Sequence, residues 1–304
     1  MIAKTRLLGI ALATLLAPAA WAGTPINQSK AVNPDASIEI TNVKGSVAVS
    51  AWDKPEVSIT GTLGEGSRGL TVEGGGAHLT VKVEGADKGK KGWFDWGSDS
   101  RLGDSDLQLK VPRGASLDIN VVSANVSVDE VAGRSVDVQS VSGRVRLATA
   151  APRLRVDAVS GDVEFAGKAE DANIQTVSGD VRVRGVGGRL HTETVSGNTH
   201  VETAQPLREG EASTVSGDID LRSALAKGGR VHMESMSGDV RLRVPADTSA
   251  RLRVESFSGT IKSDFGTVKR EEFGPGSSLE ERLGDGDGEL SLESFSGDVT
   301  VQRD

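Results

Sequence analysis

The chain has no cysteine and no tyrosine, and aromatic residues make up only 3% of its 304 residues. Without thiols there can be no disulfide framework, no cysteine nucleophile, no thiolate metal site and no lipid-modified cysteine behind a leader. Long apolar runs are also missing: nothing after the first 22 residues approaches the ~20 apolar residues that a membrane-spanning helix requires. Catalytic signatures are absent as well. There is no Gly-x-Ser-x-Gly elbow, no Gly-rich phosphate loop and no His-Glu-x-x-His, so an enzyme would need carboxylates or a serine triad assembled from distant parts of the chain.

The N-terminus carries Lys4 and Arg6, an apolar run over 7–17, and then Ala20-Trp21-Ala22. This is the pattern of a secretory signal peptide over 1–22 with an A-x-A cleavage site, so the mature chain is expected to start at Gly23 and to be periplasmic or secreted. Removing Lys4 and Arg6 from the 35 basic residues leaves 33 against 43 acidic ones, a net charge of −10. A balance this acidic argues against nucleic acid as a partner and against electrostatic capture by an anionic membrane.

What the sequence has in abundance is one phrase, strand, Val-Ser-Gly-Asp, strand. Clear copies run over 154–165 and 172–183, with variants centred on Gly45, Ala124, Gly143, Gly197, Gly217, Gly238, Gly259 and Gly297. The corner glycines 143, 161, 179 and 197 are 18 residues apart, and later spacings are 20 and 21. Alternation of apolar and polar residues on both sides of Ser-Gly predicts half-buried strands. A period near twenty predicts coils that bury their apolar stripe only against neighbouring coils. The expected fold is an all-β parallel solenoid (β-helix) of about 18–21-residue coils, with glycine at each corner and Asp or Asn hydrogen-bonding the turn.

Position in the phrase sorts the side chains. Val141, Val159, Val177, Val195, Val215, Met236, Phe257 and Phe295 hold one place before Ser-Gly and are all apolar, which suggests a single internal column. Asp157, Gln175, Glu193, Ser213, Glu234 and Glu255 form an outward column that is largely acidic. The expected organisation is an irregular N-terminal cap over 23–106 with an aromatic loop at 85–103, then a regular solenoid over 107–304 with an insertion around 266–288. The last strand, near 289–301, is expected to be an uncovered edge blunted by polar residues. That implies a monomer with weak end-to-end association.

The run Leu109-Lys110-Val111-Pro112-Arg113-Gly114-Ala115, the reiterated Val-Ser-Gly-Asp-Val and the closing Gly-Asp-Gly-Asp-Gly-Glu-Leu-Ser-Leu-Glu-Ser-Phe-Ser-Gly-Asp-Val resemble the DUF4097 "putative adhesin" family of bacterial exported β-strand-repeat proteins. The resemblance covers nearly all the mature chain and implies a cell-envelope β-solenoid. It supplies no functional residues.

Several candidate sites have plainer explanations. The Asp row at 162, 180, 218, 239 and 298 suggests calcium, but Arg144, Asn198 and Thr260 interrupt it and the nonapeptide spacing of calcium-binding β-rolls is missing, which favours turn chemistry. An EF-hand loop starting at Asp285 needs glycine at its sixth position, where Leu290 stands. His191, His200 and His232 each have Glu two residues on, yet lie on separate strands, which is poor geometry for a metal. No cofactor or metal is expected. The remaining candidate is the segment Lys88, Lys90, Lys91, Trp93, Phe94, Trp96, where three aromatics crowd beside lysines outside the repeat, as in a contact loop for a sugar ring or headgroup or as an apolar lid on the cap.

Together these features point to a non-enzymatic, adhesin-like solenoid of the cell envelope whose partner is an envelope glycan, a lipid headgroup or a protein. The alternative is a carbohydrate-active β-helix enzyme or polysaccharide-binding protein, which would need loops walling an acidic groove.

Overall fold

A computed structural model describes residues 23–85, 102–270 and 275–304, and all its regular structure is β. The strands form one hydrogen-bonded sheet wound into a parallel solenoid with two faces that meet at the Ser-Gly corner. One face is built from the segments before the glycine, for instance Arg153–Ser160 paired in parallel with the neighbouring coils on both sides. The other is built from the segments after it, such as Val145–Ala148 against the strand that begins at Val163.

Register stacks like on like. On the first face Val136, Leu154, Ala172 and Leu190 form one buried column, and Val138, Val156 and Ile174 the next. On the second face Val145, Val163 and Val181 form a column beside Leu147, Phe165 and Val183. The core is therefore a thin slab of aliphatic side chains running the length of the stack, and no coil can bury its own share alone.

Glycine is required at the corner for two reasons. At Gly179 φ is +143°, a conformation that L side chains rarely adopt, and a Cβ built there would lie 2.3 Å from the carbonyl oxygen of Gly161 in the coil below. The residue after the glycine closes the corner. The backbone N–H of each donates to a side-chain oxygen of its counterpart one coil down: Asp180 to Asp162 at 3.3 Å, Asn198 to Asp180 at 3.0 Å, Asp218 to Asn198 at 2.9 Å and Asp239 to Asp218 at 2.9 Å. The turn denies this amide a backbone acceptor, so the carboxylate or amide oxygen supplies one.

Spatial order departs from chain order at both ends. The last coil, Gly288–Ser296 with Val299–Arg303, is sandwiched between Leu225–Ser237 with Val240–Val244 on one side and Ala250–Ser256 with Ile261–Ser263 on the other. The expectation that the final strand is an uncovered edge is thus overturned, and with it the basis for end-to-end association through that strand. The stack is instead capped by Ser277–Leu283, which lies antiparallel to Ala250–Ser256, is flanked outside at Ser277 and Ser278 by the short strand Lys269–Arg270, and displays Glu280, Glu281 and Arg282 to solvent. The strands Lys269–Arg270 and Ser277–Leu283 make this cap, and the slot inside Ala250–Ser256 is left for the last coil. At the other end, residues 24–31 run antiparallel to Glu56–Leu63, which in turn pairs antiparallel with Ser105–Pro112.

Candidate functional site

The column expected inside the core lies outside it. Val141, Val159, Val177, Val195, Val215, Met236, Phe257 and Phe295 are the exposed large apolar side chains of the molecule's described residues, joined by Val122, with Val159 50%, Val177 49% and Phe295 54% exposed. The reason is strict strand alternation. In Ser135–Ser142 the buried positions are Val136, Val138 and Ser140, so Val141 points out with Asp137 and Gln139. From Val138 to Val141 is three residues, and a period of two cannot take both inward. The inward place belongs to small residues, Ser140, Ala158, Thr176, Thr194, Thr214, Ser235, Ser294 and Ser256, all buried. That column sits in the apex of the wedge between the two faces, where there is little room. Three of its serines also donate to corner carbonyls: Ser235 to Gly217 at 3.3 Å, Ser256 to Gly297 at 3.1 Å and Ser294 to Gly238 at 3.2 Å.

The result is a continuous apolar ladder on the surface beside the corner. Because the last coil is interleaved, its order along the stack is Val122, Val141, Val159, Val177, Val195, Val215, Met236, Phe295, Phe257. Nine side chains at a rung spacing of ~4.8 Å make a stripe of about 38 Å. The ladder grades from valine to phenylalanine, and at its large end the rings of Phe257 and Phe295 stack with centroids 4.8 Å apart and planes 7° from parallel. Such a stripe on a water-exposed surface is unusual unless something covers it.

Two shallow grooves run beside the ladder. The first, about 630 Å³, lies between the valines and the outward column holding Gln139, Asp157, Gln175 and Glu193. The second, about 420 Å³, lies between Met236, Phe257, Phe295 and the three glutamates Glu234, Glu255 and Glu293. Among the described residues, five carboxylates and no basic side chain line the two. Arg155 pairs with Asp157 at 2.8 Å and Arg253 with Glu255 at 2.6 Å from the side away from the ladder, and these contacts raise both guanidinium pKa values. Glu193 and Glu234 are faced by His191 at 3.9 Å and His232 at 3.7 Å, and Glu293 by the hydroxyl of Ser291 at 3.3 Å.

The other sequence candidates resolve individually. The corner aspartates use one oxygen on the next coil's amide, while the second oxygen meets a cation, as in Arg182 with Asp180 at 2.9 Å and Arg241 with Asp239 at 2.6 Å. At Asp298 the hydroxyl and N–H of Thr260 both donate to the same carboxylate oxygen, at 2.6 Å and 2.9 Å, and hold its pKa below the ordinary value. The row is turn chemistry. Gly284 to Gly288 form a tight turn closed by Gly286 N–H on the Leu283 carbonyl and Gly288 N–H on that of Ser249. His191 lies between Glu211 at 3.0 Å and Glu193 at 3.9 Å, and His200 faces Asp220 at 3.8 Å. Among the described residues no three His, Asp or Glu converge in a way that could hold a metal ion. No helix among them is long and apolar enough to cross a membrane. Lys88, Lys90, Lys91, Trp93, Phe94 and Trp96 lie outside the described residues.

Comparison with known proteins bears on the fold and the family. No curated protein matches the chain. Solved structures that align with it include a "putative adhesin" from Bacteroides fragilis, at 12% identity and a TM-score of 0.41 over 92% of this chain and 97% of that one. A "putative lipid binding protein" from Parabacteroides distasonis aligns at 11% identity and 0.38 over 93% and 97%. A "putative cell adhesion protein" from Clostridium sporogenes aligns at 10% identity and 0.22 over 92% and 100%. The family model described as Toastrack DUF4097 matches residues 36–227 and 207–302, nearly the whole of the stacked coils, and the chain belongs to that family.

Proposed function

We propose that this protein is a non-enzymatic binding solenoid of the bacterial envelope and that the apolar ladder is its contact surface. The observation that carries the reading is the nine-rung stripe of exposed Val, Met and Phe beside the corner. Its side chains lie outside the core with about half their surface in water, and a fold that needed only strand and turn chemistry could place Ser or Thr there at modest cost. Among the described residues the grooves are open and shallow, without loops walling them, and their carboxylates belong to a repeating surface column rather than an isolated pair. That arrangement favours binding over glycan cleavage. The segment holding Trp93 and Trp96 is proposed on sequence grounds as a second contact, to be tested by replacing both with Ala.

The test compares the mature protein with a variant carrying Val159→Ser, Val177→Ser and Val195→Ser in sedimentation with isolated envelope fractions. The reading expects a variant that still unfolds cooperatively, with a Tm lower by several degrees because the three valines are about half-buried, and that no longer cosediments. A variant that still cosediments as well as wild type would sink it.

A further inference from the structure

The ladder's surroundings also constrain what can lie on it. We infer that its occupant is an amphipathic α-helix of a partner protein with an apolar stripe flanked by Lys or Arg; this rests on the reading of the ladder as the contact surface. Three observations carry it.

The first is charge. Both grooves beside the ladder are lined with carboxylates and with no basic side chain. At the phenylalanine end Glu234, Glu293 and Glu255 stand on three successive rungs in direct register. Like charges placed opposite one another across strands are unfavourable, and among the described residues the three meet only Arg253, at 2.6 Å from Glu255, and His232, at 3.7 Å from Glu234. A cationic group laid along this column relieves a repulsion that the fold itself does not need. The same carboxylates oppose an anionic bilayer and would face one another if a second copy packed ladder to ladder.

The second is spacing. Rungs repeat at ~4.8 Å, and an α-helix lying along the stack presents a turn every ~5.4 Å, so successive turns stay close to successive rungs over several turns. An extended strand in the same direction offers a side chain on one face only every ~6.7 Å and falls out of step within two rungs. The 38 Å stripe accommodates a helix of roughly 25 residues at ~1.5 Å per residue, and helix-in-groove recognition is an established mode for apolar stripes.

The third is the orientation of the aromatic rings. Phe295 and Phe257 stack along the solenoid axis at the rung spacing, so ring edges rather than faces point outward. Sugar rings bind aromatic faces, whereas ring edges, valines and a methionine suit aliphatic side chains.

The experiment measures binding of fluorescent 25-residue helical peptides to the mature protein by anisotropy. One peptide has a Leu stripe flanked by Lys, and a second has the same stripe flanked by Glu. The proposal expects the Lys peptide to bind at least roughly tenfold tighter, with affinity falling as salt rises. It expects a variant with D157N, E193Q, E234Q, E255Q and E293Q to lose that preference, and the serine ladder variant to lose binding altogether. Equal binding of both peptides, no binding of either, stronger association with neutral or anionic phospholipid vesicles or with soluble envelope glycan, or a stable ladder-dependent dimer in light scattering would each overturn the helix assignment. The envelope cosedimentation test above then shows whether the ladder reading survives it. Lys-peptide binding that persists in the serine variant would mean that charge alone was being read, and would overturn both.

Discussion

The inside and outside of the corner differ by one residue, so adjacent substitutions at 176 and 177 test the register directly. Thr176 is 4% exposed and stacked between Ala158 and Thr194, with no cation in its column. An aspartate there is buried without a partner and costs several kcal/mol, most of a domain's stability. Val177 is 49% exposed. Since full burial of a valine is worth about 1.5–3 kcal/mol, replacing it with Asp forfeits on the order of 1 kcal/mol, a drop of about 2–4 °C in Tm for a chain of this size. Thr176→Val, which removes a buried hydroxyl without a partner at nearly constant shape, should be neutral or stabilising. Thermal unfolding followed by circular dichroism distinguishes the cases. If Val177→Asp abolishes the cooperative transition while Thr176→Asp leaves it intact, the strand parity described here is wrong.

Other consequences follow from the corner. Gly179→Ala places a methyl 2.3 Å from the Gly161 carbonyl at φ +143° and should cost more than the ~1 kcal/mol typical of a point mutation, measurable by urea denaturation. Asp180→Ala removes the acceptor for the Asn198 amide and the partner of Arg182. A loss of roughly 1–2 kcal/mol is expected, with Asp180→Asn recovering the part due to the amide; an equal loss in both would show that the ion pair matters more. The Asp298 carboxylate titrates below its ordinary value because Thr260 donates to it twice. Its contribution is therefore complete above the unfolded carboxylate pKa and is lost as pH falls through the lowered folded value. Asp298→Asn should flatten the acid limb of a stability-versus-pH curve relative to wild type, and an unchanged limb would contradict the assignment.

The repeat made most of the fold legible. The glycine spacing and the alternation around Val136 and Val138 gave coil length, strand parity and parallel stacking, because each unit restates the same short-range pattern. The site was misread at one step. Hydrophobicity places Val141 inward, whereas counting by two from Val138 lands on Ser140; the buried place goes to the smaller residue because it lies against the corner. The signal was available, as a run of Ser, Thr and Ala at the place just before the valines. The order of the last two coils had no such signal. Ser-Phe-Ser-Gly occurs at both 256–259 and 294–297, and either copy satisfies the same neighbours, so local sequence could not say which lies beyond the other.

That interchangeability bears on how the molecule is made. Residues 288–303 occupy the slot between the coil ending at Val244 and the coil beginning at Ala250, so a chain emerging from its N-terminus cannot complete the stack in the order of synthesis. Until residues 288–303 appear, 250–263 has its outer partner Ser277–Leu283 but either no inner neighbour or the wrong one, and finishing requires it to stand off while a near-identical segment is threaded in. Residues 288–303 thus act as a keystone, and a chain that has not yet made them cannot lock. A chain ending at Asp287 should accordingly keep the coils up to Val244 protected and leave 250–283 open to limited proteolysis. Full protection of that segment in the shortened chain would mean that the keystone is dispensable.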